Sequence, residues 1–177
     1  MSEIDLQQAE KIAPLLGQDF LTWLWYQSEK GEGIFYSQDA EPFSFSLQKR
    51  LVVQGGDGET KDTAVCSGPQ SEFREAKLGL RTGKKVNQAK LQIEQDVNAW
   101  EVQLKAEDFS FAGLRTPRVD MQLEEGEDPD SRYLEKIFLI EKCLEFIDVL
   151  YSKFLQIRFS SQWEAEVRQI REWIFED

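Results

Sequence analysis

The sequence contains no histidine. That absence removes imidazole acid–base catalysis, histidine-based triads and histidine-ligated metal sites together. Cysteine is nearly as scarce. Cys66 and Cys143 stand far apart and outside any C-x-x-C spacing, so buried reduced thiols are expected rather than a disulfide framework or a zinc knuckle. No apolar run approaches the ~18–20 residues that span a bilayer. The opening MSEIDLQQAEK is acidic where a signal peptide would be basic and then apolar. A soluble cytoplasmic protein with no membrane partner is the expectation. Phosphate-cradling glycine loops are missing too: GGDGE (55–59) lacks the Lys and Ser/Thr of a P-loop and precedes a strand pattern. No S-x-x-K stands in a context that would activate a serine without histidine. No cofactor and no metal are expected, and there are no internal repeats or low-complexity tracts.

What is present is enough to fold. In 177 residues, 41% are hydrophobic and 12% aromatic, sufficient for the core of one domain. The net charge of −12 argues against a nucleic-acid platform over the whole surface and favours solubility or a basic partner.

The aromatic-rich stretch LLGQDFLTWLWYQSEKG (15–31) reads as a helix over 14–30. Leu16, Phe20 and Leu24 share one face, Leu21 and Trp25 widen it, Trp23 and Tyr26 fall toward its edges, and Gly31 is a stop. Pro14 suits a first helical turn and is expected to separate this helix from a lead-in over about 5–12. An arc this wide fits a core helix covered by a sheet and touched by a second element. GIFYSQ (33–38) and PFSFSLQKRLVVQ (42–54) then alternate, with Phe43, Phe45, Leu47, Leu51 and Val53 on odd positions. After the GGDGE turn, residues 60–68 return as a hairpin partner. The period switches at PQSEFREAKLGLRTGKK: Ser71 is the expected cap, Phe73, Ala76 and Leu80 one face, and Gly83 the end. A second hairpin follows around DVN. Leu91 and Ile93 alternate on one arm, Trp100, Val102, Leu104 and Ala106 on the other, and polar residues between them predict one wet face.

Residues 116–130 form an acidic linker holding Glu124, Glu125, Glu127, Asp128 and Asp130, without the spacing of a calcium loop. A long helix over 131–158 carries Leu134, Ile137, Ile140, Leu144, Ile147, Tyr151, Phe154 and Leu155 as its expected inward stripe. Phe138, Phe146 and Leu150 exceed one sheet contact. Their surplus should meet the terminal helix, through Trp163 and Ile170, or a second copy. A break near 159–161 and a capping box from Ser161 to Glu164 open that terminal helix. The expected fold is α+β in one domain, 1–177. An antiparallel sheet of four to six strands and the N-terminal helix (1–115) pack with the helical part (131–177).

Two constellations could carry chemistry. A magnesium nuclease would need an acidic-x-Lys triplet beside a strand carboxylate. Glu59-Thr-Lys61 follows Asp57 too closely for a strand, and Glu75 and Lys77 point about 160° apart on a helix. The other is a cationic strip in an acidic chain: Arg74, Lys77, Arg81, Lys84, Lys85 and Lys90. It reads as a solvated face or as a contact for nucleic acid or an acidic partner.

The tryptophan-rich segment LLGQDFLTWLWYQSEKGEGIF resembles the L-G-x-x-F-L-T-W-L-W-[FY]-x-S-E segment in the C-terminal half of the longer RdgC-like (recombination-associated protein RdgC) proteins of some bacteria. AKLGLRTGKKVNQAKLQI, FSFAGLRTP and SRYLEKIFLIEKCLEFIDVLYSKFLQIR continue the likeness in order, over residues 12–158. The resemblance implies a link to DNA recombination, and a family N-terminal portion that this chain lacks. Duplex DNA binding belongs to the family's ring-forming region, so weak or no DNA binding is expected of this chain alone. Of the candidate features only the cationic strip (Arg81, Lys84, Lys85) falls on a matching segment, and no catalytic residue transfers. The expectation is therefore a non-enzymatic accessory module with a protein partner, the family's N-terminal half being one candidate. A homo-oligomer through the C-terminal helices is another. A metal-dependent nuclease and an acidic DNA mimic are the alternatives.

Overall fold

The computed structural model describes residues 6–31, 34–56, 62–67, 73–122, 126, 128 and 130–176. The opening periodicity becomes α1 (Leu6–Lys30). The break expected at Pro14 does not occur. A proline inside a helix removes one ladder hydrogen bond and crowds the preceding turn, and a 25-residue helix carries that loss. The end at residue 30 stands, with the Gly31 amide donating to the Gln27 carbonyl at 2.9 Å. Phe20, Leu21, Trp23, Leu24 and Trp25 are all buried. Trp23 and Trp25 project about 160° apart, so both can be buried only because α1 is covered on more than one side.

Among the described residues six strands form one antiparallel sheet: β1 (Ile34–Tyr36), β2 (Pro42–Gly55), β3 (Asp62–Ser67), β4 (Lys85–Gln95), β5 (Asn98–Lys105) and β6 (Phe111–Arg115). The order is β1–β2–β4–β5–β6, with β3 also on β2. At 14 residues, β2 is long enough to pair β1 near its start and β3 near its end. Two irregularities in its register with β4 break the alternation, so Leu51, Val52 and Val53 are buried in succession. Both expected hairpins form, β2–β3 and β4–β5. Most of the turn joining the first lies outside the described residues, as do Ser71, Glu59, Lys61, Glu124, Glu125 and Glu127. β6, which has no alternation signal of its own, closes the far edge.

The inner face holds Leu91, Ile93, Trp100 and Val102, which share one buried cluster with the apolar side chains of α1. The outer face is polar, as its sequence predicts: Gln103 donates to Gln88 at 2.8 Å, and Lys90 meets Glu101 at 2.6 Å. Three further helices complete the fold: α2 (Arg74–Arg81), α3 (Ser131–Arg158) and α4 (Trp163–Phe175). α2 ends at Arg81, with Thr82 as its C-cap before Gly83, whose φ of +90° suits glycine. α4 begins without the expected capping box. Gln162 is its N-cap with no side-chain bond, and the Ser160 hydroxyl accepts from the Gln162 amide at 3.2 Å. The molecule is therefore α+β, a sheet with its helices packed on one face.

Candidate functional site

The six basic residues of the strip do not stay together as one face. α2 docks on α4, and two of its three cations, Lys77 and Arg81, are engaged there. Lys77 lies 3.0 Å from Glu29 and 4.5 Å above the Trp173 ring. Arg81 donates to the Ile174 carbonyl at 2.8 Å and to the Glu176 carbonyl at 3.1 Å, where cations suit a helix C-terminus. Lys84 pairs with Asp62 at 2.6 Å, and Lys90 with Glu101. Arg74 and Lys85 are exposed. The Glu75–Lys77 nuclease triplet is split in the same way, because Lys77 faces α1 and α4 while Glu75 is exposed. Among the described residues no group of three or more His, Cys, Asp or Glu side chains is placed to hold a metal. Both cysteines are free and buried.

A different surface is exposed. The inward stripe of α3 is Cys143, Phe146, Ile147, Leu150 and Phe154. This corrects the expected stripe: Leu134, Ile137 and Leu144 are exposed at 64%, 50% and 43%, joined by Phe138 at 60%. Residues 133–138 are exposed throughout; contact with the core is made at Leu139, whose carbonyl accepts from the Trp100 indole at 2.8 Å. Phe146 packs on Phe43 at 4.6 Å and on Trp100 at 5.2 Å. The surplus apolar surface does not meet α4 at Phe138. α4 instead reaches α3 near its end, through Trp163 on Phe154 at 5.9 Å.

Two adjoining hollows of about 440 Å³ each flank this exposed face. The first lies between α1, α3 and the β5–β6 turn. Phe20, Leu21, Ala106, Phe109, Ile147 and Tyr151 line it together with Lys105. Gly17 allows α1 to approach that closely, since a Cβ there would sit 2.0 Å from the Ala106 carbonyl oxygen. Phe109 holds φ +54°, a strained value for a bulky residue. Its ring stands 5.0 Å from Tyr151 and 6.5 Å from Phe20. The turn is braced by the Ser110 amide on the Asp108 carboxylate at 2.9 Å. The hydroxyl and amide of Ser110 hold that carboxyl below its usual range.

The second hollow is acidic. Asp39, Glu141, Glu145 and Asp148 line it with Lys142 and Phe138. Lys142 bridges Asp39 at 3.1 Å and Glu145 at 3.0 Å. Burial opposes its charge, but those two partners outweigh burial and raise its pKa. Glu145 also accepts the Gln38 amide at 2.7 Å. Glu141 and Asp148 are exposed, and Leu144 and Asp148 line both hollows. Apolar walls beside acceptor-only carboxylates equip this groove for binding. Sequence reasoning missed Asp39, Lys105, Phe109, Glu141 and Asp148. The one available signal was apolar residues on too many sides of a single helix.

Compared with protein-family models, curated proteins and solved structures, the chain finds no match.

Proposed function

We propose that this chain is a non-enzymatic interaction module that holds a protein partner along the exposed face of α3. One observation carries the reading: Leu134, Ile137, Phe138 and Leu144 lie exposed on one side of a 28-residue helix. Large apolar side chains grouped in water are unfavourable unless a contact covers them, and such patches mark interaction surfaces. The engagement of Lys77 and Arg81 within the chain supports a protein rather than a nucleic-acid partner. The RdgC resemblance adds bacterial DNA recombination as the process, the cytoplasm as the place and the family's N-terminal portion as one partner.

A photo-crosslinking amino acid at position 137 tests this in cells, with position 97 in the exposed β4–β5 turn as control. A discrete protein adduct from 137 and none from 97 is expected. No adduct from 137, or equal adducts from both, overturns the reading. Incubation of the purified chain with supercoiled plasmid and Mg²⁺ should leave the plasmid intact, and nicking that tracks the protein would establish the nuclease instead.

A further inference from the structure

We propose that the segment seated in this groove is basic and amphipathic. An apolar side chain fills the hollow between α1, α3 and the β5–β6 turn, and Lys or Arg side chains rest on Glu141 and Asp148. The inference depends on α3 being the docking face and adds the chemistry of what docks there.

The hollow's volume of about 440 Å³ falls in the ~300–1,000 Å³ range of concave sites that enclose compact apolar groups. Its charge then selects the occupant. Positions 134, 137, 138, 141, 144, 145 and 148 share one side of α3, given roughly 100° per residue. The first three are apolar; of the last four, only Leu144 is. Two cations line the hollows: Lys142 is spent on Asp39 and Glu145, and Lys105 is outnumbered by the four carboxylates. Glu141 and Asp148 form no ion pair among the described residues, and Asp148 stands where the apolar and acidic hollows meet. A segment with apolar anchors on one side and cations beside them satisfies both hollows at once, in the manner of an amphipathic helix laid in a groove. The net charge of −12 steers such a segment inward.

A second copy fits poorly. Its α3 would bring Glu141, Glu145 and Asp148 against their equivalents. Lys136 and Arg132 lie about 140–180° around the axis from this face, at roughly 100° per residue. An acidic or neutral apolar segment would leave Glu141 and Asp148 without an ion pair.

The test uses the full chain and three fluorescein-labelled peptides: an amphipathic leucine/lysine helix, its leucine/glutamate counterpart and a lysine/serine peptide without apolar residues. Fluorescence anisotropy should show the leucine/lysine peptide binding, the leucine/glutamate peptide not binding and the lysine/serine peptide far weaker. Each exposed pair is worth a factor of about two to five, so Glu141→Lys with Asp148→Lys should weaken binding about tenfold. Matched reversals on α4, Glu164→Lys with Glu172→Lys, should change it little. Circular-dichroism melting confirms that the variants fold, both pairs being exposed. Leucine/lysine binding that ignores the groove reversal, or that falls equally with the α4 reversal, overturns the proposal. Binding of the leucine/glutamate peptide that Leu144→Ser abolishes overturns the basic partner while leaving the docking face standing. No peptide binding together with no adduct from position 137 overturns both.

Discussion

Glu29 gathers three donors on one carboxylate. The Trp25 indole donates to it at 2.7 Å, the Trp173 indole at 2.8 Å, and Lys77 lies 3.0 Å away. Glu166 likewise accepts from Trp23 at 2.9 Å and Gln27 at 2.8 Å. The tryptophans of α1 are thus buried with their polar tips satisfied. Glu29→Ala removes the shared acceptor and should cost about 2–4 kcal/mol in urea unfolding, while Glu29→Gln, which keeps an acceptor oxygen, should cost less. A Glu29→Ala protein of unchanged stability would show that the network contributes nothing. Cys143 makes a pH prediction. Burial pushes its thiol from 9.0 up to about 11. The unfolded chain therefore gives up the thiol proton first as pH rises. The stability from the neutral buried thiol is complete below pH 9 and declines between pH 9 and 11, by about 2–3 kcal/mol in total. Cys143→Ala should flatten this part of the pH profile relative to the parent, while other groups titrate in both. The periodicity of α1 made Phe20 and Trp25 legible as core. Glu29 was not, because its donors come from α1, α2 and α4.

Among the elements, α1 is held to the sheet by a close approach that one position permits. Gly17→Ala should gain up to about 1 kcal/mol of helix propensity. It also sets a methyl 2.0 Å from a backbone oxygen that cannot swing aside. Overpacking costs about 1–3 kcal/mol or more, so net destabilisation is expected, read as a lower urea midpoint; a raised midpoint would mean that α1 lifts off Ala106 freely. The terminal helix is equally integral. Trp173 stacks edge-on against Trp25 at 4.9 Å, and Arg81 of α2 caps the α4 carbonyls. Deleting residues 160–177 should expose Trp25 and cause aggregation, seen by light scattering; a well-behaved truncated monomer would show that α4 is an appendage. The boundaries of α3 were legible in its periodicity. Its inward face was not, because apolar residues surround its first half and only neighbouring elements choose among them.

At the scale of the whole molecule, charge decides what this surface attracts. Four of the six strip residues, Lys77, Arg81, Lys84 and Lys90, are engaged with acceptors of the chain itself, in a protein of net charge −12. Exposed charges are screened over about 10 Å at 0.1 M salt, so the two exposed residues, Arg74 and Lys85, act almost alone. Duplex binding at 150 mM salt should be weaker than the ~10⁻⁴–10⁻⁶ M of nonspecific DNA-binding proteins. Lys84→Glu with Lys85→Glu should abolish any binding that survives at low salt. Anisotropy on a labelled duplex measures both, and micromolar affinity at 150 mM would return the strip to the functional site.

The sequence by itself determined the α+β class, two hairpins, the burial of Phe20, Leu24 and Trp25, the wet sheet face and the limits of α3. Each of these follows from local period and turn chemistry, read within one element. Tertiary structure decided the rest. Pro14 lies within a helix, the strip cations answer α1, α4 and the sheet, and Leu134, Ile137, Phe138 and Leu144 face water. Asp39 and Asp148, 109 positions apart by number, come to line one hollow. The physical reason is common to the last three. Which partner a side chain meets depends on how elements distant in the chain pack, and packing resolves what one helix's periodicity leaves degenerate.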